Sequence, residues 1–165
     1  MYSKLQLITA LNKEITILEH LASKVTTELH GHKFTETQRT IRELLAYLAA
    51  SPWKQVELII NGDASIFATM KEFSETFSAD DFISIIHSNS TTAISMIETL
   101  SEESLTESVS LFGWFAQGTR AQLLIEMVYA PLIAYKMQLF LQMKHAGLHD
   151  LGTPNLWMWI DKPQA

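Results

Sequence analysis

Glu43 and Tyr47 stand four residues apart in a stretch of helical periodicity, and Pro131 and Tyr135 repeat that spacing toward the far end of the chain. Four residues is one helical turn, so each pair shares a face. A glutamate beside a tyrosine can pass a proton when both are withdrawn from water. On an amphipathic helix the glutamate is more often solvated. Glu126, one turn before Ala130, carries the same two readings. The histidines fall into two pairs and two single residues. His30 and His32 flank Gly31, and His145 and His149 sit across the end of the last helical stretch. Either pair can take up a transition metal at high concentration. Neither has an obvious third ligand, so exposed histidines near helix ends are the favoured reading. His20 and His87 are single residues on helices.

Other chemistry is excluded by residue type. The chain has no cysteine, which removes a disulfide framework, a thiolate nucleophile and a Cys-type zinc site. Gly113 and Gly118 do not begin a phosphate loop, and no serine sits in a nucleophile-elbow pattern. Twelve Lys and Arg against eighteen Asp and Glu give a formal charge of −6. That balance argues against nucleic acid as a main partner, because phosphate binding needs clustered cations.

The elements that must position these residues are helical. A chain of 165 residues that is 47% apolar and 18% charged suits a single domain spanning 1–165, able to bury roughly 70% of its unfolded surface. Leu5, Ile8, Leu11, Ile15, Leu18, Ala22, Val25 and Leu29 step by three and four, predicting one long first helix that Gly31 ends. Lys4, Lys13, Glu14, Lys24 and Glu28 fall elsewhere on its surface. Thr35 with Gln38 has capping-box spacing and predicts the start of a second helix. Its inward face is Ile41, Leu44, Leu45 and Leu48, and Ser51-Pro52 stops it. Trp53 to Phe77 reads as a crossover with short helices and a turn at Asn61-Gly62-Asp63. A third helix begins near Ser78, with Asp80 and Asp81 in its first turn, and runs to about Leu100 across the polar patch Ser88–Thr92. A fourth runs from about Thr119 to Ala146 and closes at Gly147. Its apolar window, Leu123 to Met143, holds Glu126, Lys136, Gln138 and Gln142, so it reads as a buried helix and not a membrane span. Leu148 to Ala165 reads as an extended strap that buries one of its indoles. No signal-peptide pattern opens the chain, and the cytoplasm is the expected compartment.

Thr40-Ile41-Arg42-Glu43-Leu44-Leu45-Ala46-Tyr47-Leu48, and Tyr135-Lys136-Met137-Gln138-Leu139 running to Ala146-Gly147, resemble the second and last helices of the DinB/YfiT-like proteins. The second of these stretches is similar to a His-Arg-Gly-Gln-Leu run in that family. The resemblance covers about Leu5 to Gly147. It implies an all-α fold, a four-helix bundle with a long middle crossover, here followed by an extended C-terminal tail. It also implies a metal site of three histidines, associated with transferases that use low-molecular-weight thiols. The matching positions in this chain hold Tyr47, Pro131 and Tyr135. Proline offers no side-chain ligand. A phenol keeps its proton to about pH 10 and is a poor donor unless a cation is already held nearby. No metal or other cofactor is expected.

Pro131 removes one helical hydrogen bond and crowds the carbonyl four residues back. A kink near Met127 is expected, with that carbonyl served by water or by the Tyr47 hydroxyl. Plain packing of the two tyrosine rings into the space of the lost site is the stronger alternative. Three functions compete on this scaffold. The leading one is a metal-free protein binding a small apolar or amphipathic ligand between helices, with Tyr47, Pro131, Tyr135, Gln138 and Trp114 lining or capping the pocket. Another is a metal-independent transferase or isomerase with Tyr47 or Tyr135 as proton donor. The third is a homodimeric interaction protein that associates through a helix face or the Trp-bearing tail. Whether any catalysis remains is not written in the sequence.

Overall fold

Ser3 opens the computed structural model, which describes residues 3–63, 65–112 and 116–161. Its hydroxyl accepts from the Gln6 N–H while the Gln6 side chain accepts from the Ser3 N–H. This reciprocal cap starts α1, Lys4–Ala22. The helix is shorter than its apolar stripe predicts. Ser23 ends it, and the β-branched run Val25-Thr26-Thr27 leads into a 3₁₀ turn at Thr27–Leu29. Val25 and Leu29 still pack on the core from outside the helix. Two surface assignments also change. Leu5 is 72% exposed, whereas Glu14 is only 4% exposed.

The second helix, α2, spans Ile41–Asn61. Thr35 and Gln38 form only a turn. The same spacing five residues later is the one used, with Thr40 capping and Glu43 answering. Ile41, fully buried, follows that cap directly and ties it to the core. Ser51-Pro52 does not stop the helix. Both residues are buried inside it, and Asn89 of the facing helix donates to the Ala49 carbonyl at 2.7 Å. The polar patch on the third long helix therefore places a donor beside the backbone that Pro52 disturbs. Gly62, at φ 71°, ends α2 in the left-handed conformation.

The crossover contains α3, Ile66–Thr76, and a 3₁₀ turn at Ala79–Asp81, followed by α4, Phe82–Thr99. Arg42 fastens the end of this crossover to α2 by donating to the Phe77 carbonyl at 2.6 Å. The next connection folds into α5, Glu102–Thr106, and a hairpin of β1, Ser108–Leu111, and β2, Ala116–Thr119. Ser108 pairs with Thr119 and Leu111 with Ala116. Arg120 returns to the hairpin's base by an ion pair with Glu107.

The last long helix is continuous from Arg120 to His145 but not uniform. It consists of α6, Arg120–Leu123, a π-helical segment, Leu124–Tyr129, and α7, Ala130–His145. Pro131 lies in the first turn of α7. The Ala130 N–H reaches back five residues to the Ile125 carbonyl, so the backbone widens around Met127, where a sharp kink was expected. The extra residue per turn gives the proline ring room. Gly147, at φ 109°, closes the helix. By length and composition this segment could cross a membrane; here Leu132, Lys136, Leu139, Phe140, Gln142 and Met143 are buried within the bundle.

α1 and α2 each pack against both α4 and α7, giving an all-α bundle around one apolar core. The C-terminal segment is not an extended strap. It folds into α8, Thr153–Met158, against α1. Asn155 and Leu156 are buried there, while Trp157 and Trp159 remain 41% and 45% exposed. Alternation in the sequence suggested a strand-like tail, but Pro154 in the first helical turn starts a helix instead.

Candidate functional site

Tyr47 projects from the second turn of α2 and Tyr135 from the second turn of α7. Their ring centroids lie 4.3 Å apart with planes inclined by 51°. The packing alternative for these tyrosines is the one observed. Among the described residues the Tyr47 hydroxyl has no bond to the Met127 carbonyl, whose turn is reorganised by the π segment instead.

A residue that sequence reasoning passed over completes the cluster. Arg39, immediately before the α2 cap, sets its guanidinium 5.0 Å from the Tyr47 ring centroid and 5.4 Å from that of Tyr135. Its Nη1 donates to the Tyr135 hydroxyl at 3.5 Å, the outer limit of such a bond. Its carbonyl accepts from Nε2 of buried Gln142 at 3.1 Å. A cation over two aromatic faces is attracted by their quadrupoles. Nothing in the local sequence announces this arrangement, because Arg39 lies outside any periodic segment.

A groove of about 450 Å³ opens beside this cluster, between the loop at Thr37–Arg39, the face of α2 carrying Glu43, Tyr47 and Ala50, and the α3 residues Met70 and Phe73. It lies on the α3 side of Tyr47, not between α2 and α7. Pro131, Tyr135 and Gln138 are half-buried on α7, and none of the three lines it; of the expected pocket residues only Tyr47 does. Trp114 lies outside the described residues.

Glu43 is not free to act as a base for Tyr47. One of its carboxylate oxygens accepts the Thr40 N–H at 2.7 Å and the Thr40 hydroxyl at 3.1 Å. The backbone bond chiefly, then the hydroxyl, Lys33 and Arg39, hold its carboxyl below the ordinary value against the opposing effect of burial. Glu126 is exposed and hydrogen-bonded to Gln122. The histidines pair differently from their order in the chain. His32 Nε2 and His145 Nδ1 meet at 2.8 Å, with Phe34 against His145. Among the described residues no three His, Cys, Asp or Glu side chains gather to hold a metal ion. The three resemblance positions themselves supply two phenols and a pyrrolidine, beneath a guanidinium that would repel a divalent ion. That donor set does not fit a metal.

The charged pair that the bundle does bury is Glu14 with Lys136, with side chains 5% and 0% exposed. Lys136 Nζ also lies 5.0 Å from the centroid of the Trp157 ring. Both residues occupy positions in an apolar stripe, Leu7-Leu11-Glu14-Leu18-Leu21 and Leu132-Lys136-Leu139-Met143. That break in each stripe was the signal in the sequence.

No family model matches the chain. It is similar to the uncharacterized protein YjoA of Bacillus subtilis (strain 168), 23% identical over 146 residues, covering 88% of this chain and 92% of that protein. The crystal structure of that DinB-like protein superposes with a TM-score of 0.72 at 22% identity, covering 89% and 95% of the two chains. A DinB-like protein from Bacillus cereus ATCC 10987 gives 0.70 at 13% identity over 93% and 99%. The colibactin self-resistance protein ClbS, solved in complex with a dsDNA, gives 0.62 at 16% identity over 87% and 97%. The fold is therefore DinB-like, as the two helical stretches suggested. The ClbS complex is at odds with setting nucleic acid aside for this fold on charge alone.

Proposed function

We propose that this chain, with its DinB-like fold, works without a metal and binds a small ligand beside the former metal positions. The observation that carries the reading is the Tyr47–Tyr135 contact under the Arg39 guanidinium. It fills with rings and a fixed organic cation the space where the resemblance implies a metal. The neighbouring groove is within the size range of small-molecule sites and mixes apolar walls with a few polar groups. The cytoplasm is the proposed compartment.

The test is elemental analysis of protein purified without a histidine tag, together with mass spectrometry of small molecules released on denaturation. The reading expects less than stoichiometric metal and a co-purifying organic ligand. One equivalent of nickel, zinc or iron lost on changing Tyr47 or Tyr135 to Phe would overturn it.

A second reading, association as a homodimer, rests on Trp157, Met158, Trp159 and Ile160, each at least 41% exposed in one short run. Sedimentation of the wild type against a Trp159→Ser, Ile160→Ser variant decides it. A dimer that the variant dissolves supports association through the tail, and a monomeric wild type removes it. Duplex DNA, present with ClbS, is a weaker occupant for a chain of charge −6. Duplex binding in about 0.15 M salt would reverse that ranking.

A further inference from the structure

Arg39 has donors to spare. A guanidinium offers five N–H groups in a planar fork. Among the described residues its one hydrogen bond goes to the Tyr135 hydroxyl, and it makes no ion pair. The group is nevertheless held in place. Two aromatic faces lie against it, and the Gln142 amide anchors its backbone. A positioned, unpaired cation at the mouth of a groove is an anion-binding element.

The rest of the groove mixes apolar and polar groups. Ala46, Ala50, Met70 and Phe73 line it, with Ser51 and Ser74 as small polar groups. From Glu43 to Ser51 the groove follows α2 for about 12 Å, at the rise of an α-helix. Arg42 holds the end of the α3 crossover against α2 through the Phe77 carbonyl, which fixes the far wall. Glu43 also faces the groove, but its carboxylate already serves as the helix cap at Thr40. Glu43 stays an anion whose charge is met by the Thr40 donors, Lys33 and Arg39, and Arg39 is the groove's cation with N–H donors still open.

We infer that this groove takes a small amphipathic carboxylate, with its anionic head on Arg39 and its apolar chain along Ala46, Ala50, Met70 and Phe73. The inference rests on the ligand-binding reading above and adds the chemical class of the ligand. The head accepts two parallel N–H bonds from the guanidinium. The chain displaces water from apolar walls.

Three probes of equal chain length separate the contributions: octanoate, octanol and octylammonium, titrated into the full chain by calorimetry. Octanoate should bind saturably and about tenfold or more tighter than octanol, the scale of a charge-assisted hydrogen bond. Arg39→Gln should bring octanoate down to the octanol level. Arg39→Lys should fall between, since it keeps the charge and loses the fork. Ser74→Trp, which fills the groove from α3, should weaken octanoate and octanol together. Arg39 is exposed, so its variants should fold, and circular dichroism checks this. Equal affinity for octanoate and octanol, untouched by Arg39→Gln, would overturn the anion assignment and leave ligand binding standing. Preference for octylammonium would place the working charge on Glu43 and overturn it as well. Binding of none of the three would overturn the inference, while the co-purification experiment still decides the parent reading independently.

Discussion

Lys136 Nζ and Glu14 Oε2 form an ion pair between α7 and α1, across 122 positions of sequence and out of contact with solvent. Desolvating two charges costs several kcal/mol each, and their mutual attraction roughly offsets this only while both are present. Removing one partner leaves the other buried and unpaired. Lys136→Ala or Glu14→Ala should therefore destabilise the protein by about 3–5 kcal/mol in urea unfolding. The double change Lys136→Met with Glu14→Leu should be neutral or stabilising. Single variants as stable as the wild type would mean that the pair opens to water.

The tyrosine contact makes a quantitative claim of its own. Aromatic pairs are worth about 1 kcal/mol beyond the area they bury. A double-mutant cycle with Tyr47→Leu and Tyr135→Leu should return a coupling energy of about that size. Repeating the cycle in Arg39→Gln should lower it, because the guanidinium lies over both rings. Additive single effects would show that the rings are neighbours without being partners.

Periodicity made the bundle readable and hid its exceptions. The stripe from Leu5 to Leu29 and the apolar window Leu123–Met143 marked two core helices, and Glu14 was assigned to the surface because charge is usually solvated. Only the fold shows that Glu14 and Lys136 meet. Thr35–Gln38 and Thr40–Glu43 have identical capping signatures, and the choice depends on burial of Ile41 against the bundle, a tertiary effect. Pro52 read as a stop because local rules do not include Asn89, which comes 37 residues later. The tyrosine positions came from resemblance to known helices and are adjacent in space. The groove beside them was not legible, because one wall is α3, whose packing no local pattern states, and its cation sits in an aperiodic loop.

Asn89 and Pro52 should be energetically linked. The amide donates to the Ala49 carbonyl in the turn that Pro52 disrupts. Asn89→Ala should cost about 1 kcal/mol, and up to about 3 kcal/mol if that carbonyl is left dry. In a Pro52→Ala background the regained N–H bonds the Leu48 carbonyl, the relaxed turn lets the Trp53 N–H close on Ala49, and the cost should shrink. Thermal unfolding of the four proteins in the cycle measures this. Equal costs in both backgrounds would separate the two residues.

The C-terminal segment should loosen in mild acid. His20 Nε2 meets the Asn155 amide at 3.2 Å, and Asn155 also donates to Asp161, which Lys24 holds at 2.6 Å. Burial first, then the Lys24 charge, hold the His20 imidazole below its ordinary value of 6.5, against the opposing pull of Asp161. The folded protein releases a proton that the unfolded chain keeps, so neutral His20 contributes stability above about pH 6.5 that is lost as the pH falls through the lower folded value. Protonation also removes the acceptor that the Asn155 amide uses. Hydrogen-exchange protection across Thr153–Met158, taken relative to the intrinsic rate at each pH, should therefore fall between pH 7 and pH 5, with a change in emission from Trp157. His20→Gln should flatten the response in that window. A separate loss at lower pH should survive the substitution, because Asp161 and Glu43 are both held below their ordinary values and give up their stabilisation only when protonated. An unchanged profile between pH 7 and pH 5 in His20→Gln would assign the response to other groups.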